Sequence, residues 1–179
     1  MFGVFRRRAQ ERQTVAGLYA AIATQARAPV FYAALGVPDT VDGRFDLLVL
    51  HVWMVLHRLD AEPDSGPIKQ DLFDTMFGHL DLTLREMGAQ DLGVGRRIKR
   101  MAEGFHGRCS AYREAWLGGD AAKLGEALAR NVFGKATPAP DALARLAGYV
   151  GDAIGRLATT PTADLMAGQI AWPTPEGAT

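Results

Sequence analysis

Apolar residues recur three or four positions apart along almost the whole chain, and no stretch alternates strictly between apolar and polar residues. The first spacing is typical of helices that bury one face, whereas strict alternation is typical of half-buried strands. The pattern therefore predicts an all-α fold, a single-domain bundle of about six helices. The predicted helices cover residues 11–27, 43–59, 68–87, 95–117, 121–133 and 141–157, with a short further helix at 163–170.

The second predicted helix differs from the others because it is apolar on nearly every side. Between Phe45 and Leu56 only Asp46 and His51 are polar. A helix that is apolar all round is buried, and this run is too short to span a bilayer. We therefore predict that it is the central helix of the bundle. The third helix carries a single apolar stripe, which is predicted to end at Met87.

Turn-forming residues divide the chain. The segments "GVPDTVDG" (36–43), "PDSGP" (63–67) and "GAQDLGVG" (88–95) combine Gly, Pro and Asp, which favour loops. We predict a basic and apolar N-terminal tail at 1–10, a helical domain at 11–170 and a loose, Pro-rich tail at 171–179. Asp141 follows "TPAP" and is predicted to be the N-cap of its helix.

The composition is that of an ordinary globular protein, since 48% of the 179 residues are hydrophobic and 22% are charged. The formal net charge is zero, so the chain as a whole has no attraction to DNA, and RNA binding would need a local basic patch. The single cysteine, Cys109, cannot form an internal disulfide and fits a reducing compartment. Because we find no secretory signal pattern, the sequence predicts a cytoplasmic protein.

Basic residues are concentrated in two places, near the N-terminus and at the start of the fourth predicted helix. Each place is either a solvated face or a docking surface. As a docking surface, the group near the N-terminus would contact anionic lipids at the inner face of the cytoplasmic membrane. The group on the fourth predicted helix would contact an acidic partner, anionic lipid or the RNA of a ribosome. The first group is Arg6, Arg7 and Arg8 beside Phe2 and Phe5, and the second, the basic ridge, is Arg96, Arg97, Lys99 and Arg100.

The residues that could carry catalysis form no recognisable constellation. His51 and His57 are six positions apart and do not share a helix face, and His79 stands alone. Glu103 and His106 have the Glu-x-x-His spacing of di-iron bundles, but the second copy that such a site needs is absent. We therefore predict structural histidines, no cofactor and no metal. A metal-linked or haem-linked enzyme using these four histidines remains the alternative, beside a ribosome-binding or RNA-binding module using the basic ridge.

Several segments together resemble the ubiquinol–cytochrome c chaperone family. They are "YAALGVPDTVDGRFDLLVLHVWMVLHRL", "LDLTLREMG", "DLGVGRRIKRM", "ALARNVFG" and "LAGYV", and they extend over residues 32–150. The combination of these motifs is specific, whereas no single fragment is. The resemblance implies a bacterial relative of a mitochondrial assembly factor for the ubiquinol–cytochrome c reductase, respiratory complex III. It also implies a protein that is not an enzyme, whose client is newly made cytochrome b and whose partners include the ribosome and a small helical protein.

We further predict where the client or partner binds. The loop at 36–43 is expected to be fixed against the second helix and against the "LREMG" end of the third helix, so that these segments frame a groove. The alternative is that the charged residues of the loop only cap and brace the second helix. The predicted contact residues are Asp39, Asp42, Arg44, Arg85, Glu86, Arg96, Arg97, Lys99 and Arg100.

Overall fold

The computed structural model describes residues 2–88 and 91–175, with side chains described for 13–88 and 93–175. The all-α prediction is confirmed, since every regular element of these residues is a helix. None of the described helices is long and apolar enough to cross a membrane. The helices are α1 (Phe2–Ala26), α2 (Pro29–Ala33), α3 (Val41–Leu59), α4 (Gly66–Glu86), α5 (Asp91–Leu117), α6 (Ala121–Val132), α7 (Pro140–Thr159) and α8 (Thr162–Met166).

The ends of several helices differ from the prediction. The first described helix includes residues 2–10, which were predicted to belong to a tail and not to a helix. The side chains of Arg6, Arg7, Arg8, Phe2 and Phe5 lie outside the described residues. Pro29 ends α1 as predicted but also begins a further short helix, because a proline needs no backbone donor in the first turn.

Two further predictions near the C-terminus are wrong. Asp141 is not the N-cap of α7, because that position is taken by Ala139 and Asp141 lies in the first turn, where its charge favours the helix N-terminus. The described part of the Pro-rich tail is not loose. Trp172 packs against the ring of His51, with centroids 5.3 Å apart, and Pro173 and Pro175 are buried. The remainder of that tail, 176–179, lies outside the described residues.

The central position of α3 is confirmed. Nearly all of its side chains from Phe45 to Val55 are buried, and α1, α5, α6 and α7 pack around it. Helix α4 makes its main contacts with α1 and α5. Burial of so many apolar side chains makes α3 the main source of hydrophobic stabilisation in the bundle.

The buried His51 of α3 is fully satisfied by hydrogen bonds. Its Nδ1 lies 2.8 Å from the carbonyl oxygen of Leu47, and its Nε2 lies 2.7 Å from the hydroxyl of Tyr149 on α7. Gln25 of α1 donates to that same hydroxyl over 3.1 Å. Burial lowers the pKa of His51 to about 4, so the ring is neutral, with Nδ1 donating and Nε2 accepting. One uncharged network thus joins α1, α3 and α7.

The other buried polar side chain of α3, Asp46, is paired with Arg108 of α5. The guanidinium Nη2 of Arg108 lies 2.8 Å from a carboxyl oxygen of Asp46, in an ion pair without the alignment of a good hydrogen bond. The guanidinium carbon of Arg108 lies over the ring of Phe45, 5.7 Å from its centroid. Desolvation raises the pKa of Asp46 to about 6, although Arg108 opposes the shift. The pair fixes α5 against α3, but ionisation of the carboxyl is unfavourable in the folded state.

We expect Asp46→Asn to gain stability relative to the wild type as the pH rises from about 4 to about 7. The wild-type carboxyl titrates near 6 when folded and near 3.8 when unfolded, so the folded chain holds its proton longer and loses stability as the pH rises through this range. The relative gain should reach about 3 kcal/mol, measured by urea denaturation at each pH.

Asp39→Asn is the matched control with the opposite sign. A hydrogen bond from Arg44 lowers the pKa of the exposed Asp39. The wild type should therefore gain stability relative to Asp39→Asn as the pH rises and the Asp39 carboxyl ionises. Parallel pH curves for the wild type and Asp46→Asn would contradict the unfavourable burial of the Asp46 carboxyl.

Candidate functional site

The loop before α3 packs against the first turn of that helix. Gly36 has a φ of 70°, a value that favours glycine, and Val37 after it is buried. The side chain of Thr40 accepts a hydrogen bond from the backbone of Gly43 over 3.1 Å, which makes Thr40 the N-cap of α3. Gly43 lies directly against the carbonyl of Pro38, where a Cβ would overlap the oxygen. The loop is therefore fixed to the first turn of α3.

This loop borders a groove of about 370 Å³, which we name the loop groove, between α1, the start of α3 and the C-terminal half of α4. Its floor is apolar and is formed by side chains from all three helices. Val41 and Met87 lie at its edge, and both are among the few large apolar side chains that are exposed. The floor includes Ala26, Phe45, Leu48 and Leu80.

Charged side chains at the start of α3 form two ion pairs beside this apolar floor. Arg44 donates to Asp39 over 2.6 Å, and both line the loop groove. Arg97 of α5 donates to Asp42 over 3.2 Å, which joins the basic ridge to the first turn of α3. Since all four side chains are substantially exposed, these pairs contribute little to stability.

The alternative that these charges cap α3 is only partly supported. The capping side chain is that of Thr40, so neither Asp39 nor Asp42 is the N-cap. Asp42 does lie in the first turn, where a negative charge is favourable. Asp39 is instead a partner of Arg44, and the hydrogen bond that they share lowers the pKa of Asp39 and raises that of Arg44.

The other predicted contact residues lie near the loop groove but do not line it. Arg85 and Glu86 are exposed in the last turn of α4, where Arg85 pairs with Asp81 over 2.7 Å. Of the basic ridge, Arg97 faces Asp42, whereas the side chains of Arg96, Lys99 and Arg100 are exposed along α5. The nine predicted residues therefore share one end of the bundle, and only Asp39 and Arg44 line the groove itself.

The prediction missed most of the residues that form the groove. Met87 was assigned to the buried stripe of its helix, yet 63% of the residue is exposed. The reason is that α4 ends at Glu86 and Met87 is its C-cap, so the side chain lies at the edge of the groove. His79 and Thr83 line the same wall. Helical periodicity gives no signal for this surface, since Leu82, the exposed apolar residue off the stripe, does not line the groove.

The four histidines do not form one cluster. His51 is inside the bundle, His79 faces the hydroxyl of Tyr19 at 3.0 Å, and His57 and His106 stack on different aromatic rings. Glu103 and His106 do share α5. Among the described side chains, no group of three or more His, Cys, Asp or Glu is placed to hold a metal ion.

The described residues define an all-α protein whose candidate site is an apolar groove with charged edges. The chain belongs to the ubiquinol-cytochrome C chaperone family, whose pattern matches residues 33–172. That match includes the loop before α3, all of α3 and α4, and the basic ridge. Of the loop groove, only the wall formed by α1 lies outside it.

Several known proteins are similar to the chain. The ubiquinol-cytochrome-c reductase complex assembly factor 1 of Xenopus laevis is 28% identical over 79% of this chain and 72% of its own length. The assembly factor 1 of Homo sapiens is also 28% identical, and the chain spans about half of its length, 48%. The crystal structure of the Cbp3 homolog from Brucella abortus superposes with a TM-score of 0.82, with 33% identity and 99% coverage of both chains.

We expect Gly43→Ala to destabilise the protein by about 1–3 kcal/mol, because the new methyl group must displace the Pro38 carbonyl and the loop with it. Urea denaturation measures this change. Gly78→Ala is the matched control, since Gly78 lies in α4 with nothing near its Cβ position and should gain up to about 1 kcal/mol from helix propensity. Equal effects in both variants would show that the loop is not fixed against α3.

Proposed function

We propose that this protein is a non-enzymatic chaperone for assembly of the ubiquinol–cytochrome c reductase, respiratory complex III, and that its client is newly made cytochrome b. The proposal is supported by the family to which the chain belongs and by relatives that are named as assembly factors of this complex. A solved structure that is similar over 99% of the chain is that of a Cbp3 homolog. We also propose that the protein acts in the cytoplasm, at the inner face of the cytoplasmic membrane.

The observation that carries the client proposal is the loop groove. A subunit destined for a membrane presents apolar segments before it is inserted, and such segments bind by burying apolar surface. The groove offers a preformed apolar floor with Val41 and Met87 exposed at its edge. Because the loop is fixed by Thr40 and Gly43, the surface exists before the client arrives and needs little ordering.

The ion pairs beside the groove have a different part in this proposal. Asp39–Arg44 and Asp42–Arg97 are exposed, so a client can exchange them for its own polar groups at small energetic cost. Arg85 and Glu86, at the end of α4, would contact the client where it leaves the groove. These charges set the orientation of the client, and the apolar floor supplies the affinity.

The basic ridge is the proposed surface for a second partner. The side chains of Arg96, Lys99 and Arg100 form no ion pair with any other described residue and point along one exposed stretch of α5. The partner is acidic or phosphate-bearing: the ribosome, a small helical protein or an anionic membrane. Binding through this ridge should weaken steeply with salt, whereas binding of an apolar client to the groove should not.

The groove is tested by complementation of a deletion strain with Met87→Glu. We expect this variant to fold, because Met87 is exposed, but to bind the client at least about tenfold more weakly, since a carboxylate would have to be buried against apolar surface. The measurement is the redox difference spectrum of the membranes together with the reductase activity. Both the b-type haem signal and the activity should fall.

Leu117→Glu is the matched control, because Leu117 at the end of α5 is exposed to the same degree, 64%, and does not line the loop groove. This variant should restore assembly as the wild type does. If Met87→Glu fully restored the b-type haem signal and the reductase activity, the loop groove would not be the client-binding surface. An unchanged spectrum and activity in the deletion strain itself would remove the proposed function.

A further inference from the structure

A second groove lies at the other end of α3, and the proposed function does not use it. It has a volume of about 430 Å³ and lies between the C-terminal half of α3, the N-terminal half of α4 and the C-terminal half of α5. We name it the aromatic groove, because aromatic rings from all three helices line it. They are Trp53, His57, Phe73, Phe105 and His106.

The rings are arranged as two stacked pairs above a buried base. On α3, His57 stacks on Trp53, with centroids 6.0 Å apart and an interplanar angle of 23°. Between α4 and α5, Phe73 and His106 stack at 5.4 Å, also at 23°. Phe105 is buried and meets Phe73 edge to face. The two pairs form apolar walls that suit an alkyl chain or a flat ring system.

One end of this groove carries positive charge. Lys69 lies 2.8 Å from one oxygen of Asp60, and Arg113 lies 3.3 Å from the other. Two cations therefore meet a single carboxylate, and no other Asp, Glu, Lys or Arg among the described side chains lines the groove. The cluster keeps a net positive charge, which an anionic group would complement.

Burial changes the pKa of two further groups in the groove, His57 and Cys109. Burial lowers the pKa of His57, the Asp60 charge opposes that shift, and Arg113 adds to it. Burial raises the pKa of the Cys109 thiol to about 12. No side-chain hydrogen bond joins His57 or His106 to another described residue, although both rings stack on neighbours. Both imidazoles therefore keep polar atoms for a ligand.

We propose that the aromatic groove is a binding site for a small amphipathic anion. The ligand has an apolar body that lies between the ring pairs and a carboxylate or phosphate that lies at Lys69 and Arg113. A cleft of this size with mainly apolar walls and a few convergent polar groups is typical of small-molecule sites. The site is separate from the loop groove and does not depend on the client proposal.

The test is an NMR titration of the full chain with dodecanoate below its micelle concentration, observed at the histidine rings. The four histidines report on different places: His57 and His106 line the aromatic groove, His79 lines the loop groove and His51 is buried. We expect the ring resonances of His57 and His106 to shift, and those of His79 and His51 to remain. Shifts at His79 alone, or at no histidine, would overturn the proposal.

Ligand controls test the role of the charge. Comparing the affinities of dodecyl phosphate and dodecanoate shows whether a phosphate or a carboxylate is the preferred head group. Dodecanol has the same chain without the charge and should bind at least about fivefold more weakly than the better anion. Equally tight binding of dodecanol would show an unselective apolar cleft and overturn the proposal.

Protein variants test the location of the charge. Lys69→Gln combined with Arg113→Gln should weaken binding of the better anion about tenfold. Lys123→Gln is the matched control, since Lys123 pairs with Asp120 on the surface, outside this groove. Circular dichroism verifies that each variant is folded. An equal loss of affinity in the control, or no loss in the double variant, would contradict recognition of the anion at this end.

Discussion

The burial of α3 on all sides is the constraint on which the rest of the structure depends. Its apolar side chains require cover from α1, α5, α6 and α7, so these helices surround it. Its two most buried polar side chains then determine how the surrounding helices are placed, because a buried polar group is unfavourable without a partner. His51 meets Tyr149 of α7 and Asp46 meets Arg108 of α5. Hydrophobic burial thus assembles the bundle, and these two contacts set its register.

Both grooves follow from the way α4 lies on this core. Helix α4 packs mainly on α1 and α5, and Leu72 and Met76 between its two ends are buried. Towards each of its ends a space remains between α4 and α3, and the two spaces are the loop groove and the aromatic groove. The buried central helix is therefore a wall of both. One binding surface is proposed for a macromolecular client and the other for a small anion.

The sequence predicted the features that depend on neighbouring residues along the chain. The nearly continuous apolar run of α3 indicated its central position, and "GVPDTVDG" indicated the fixed loop beside it. Features that depend on contacts between distant segments were not predictable. Helical periodicity assigned Met87 to the buried stripe, but periodicity does not show where the groove edge lies. The Asp42–Arg97 pair joins residues 55 positions apart, and Trp172 is held by packing on His51 and not by any local pattern.

The most direct test of the central claim is photo-crosslinking in cells that make the protein with p-benzoylphenylalanine at a single position. With the probe at position 87, in place of Met87, we expect newly made cytochrome b to be captured, because this position lies at the edge of the loop groove. With the probe in place of the equally exposed Leu117, we expect no such product. Capture of cytochrome b from position 117 and not from position 87, in strains whose reductase assembles normally, would contradict the account.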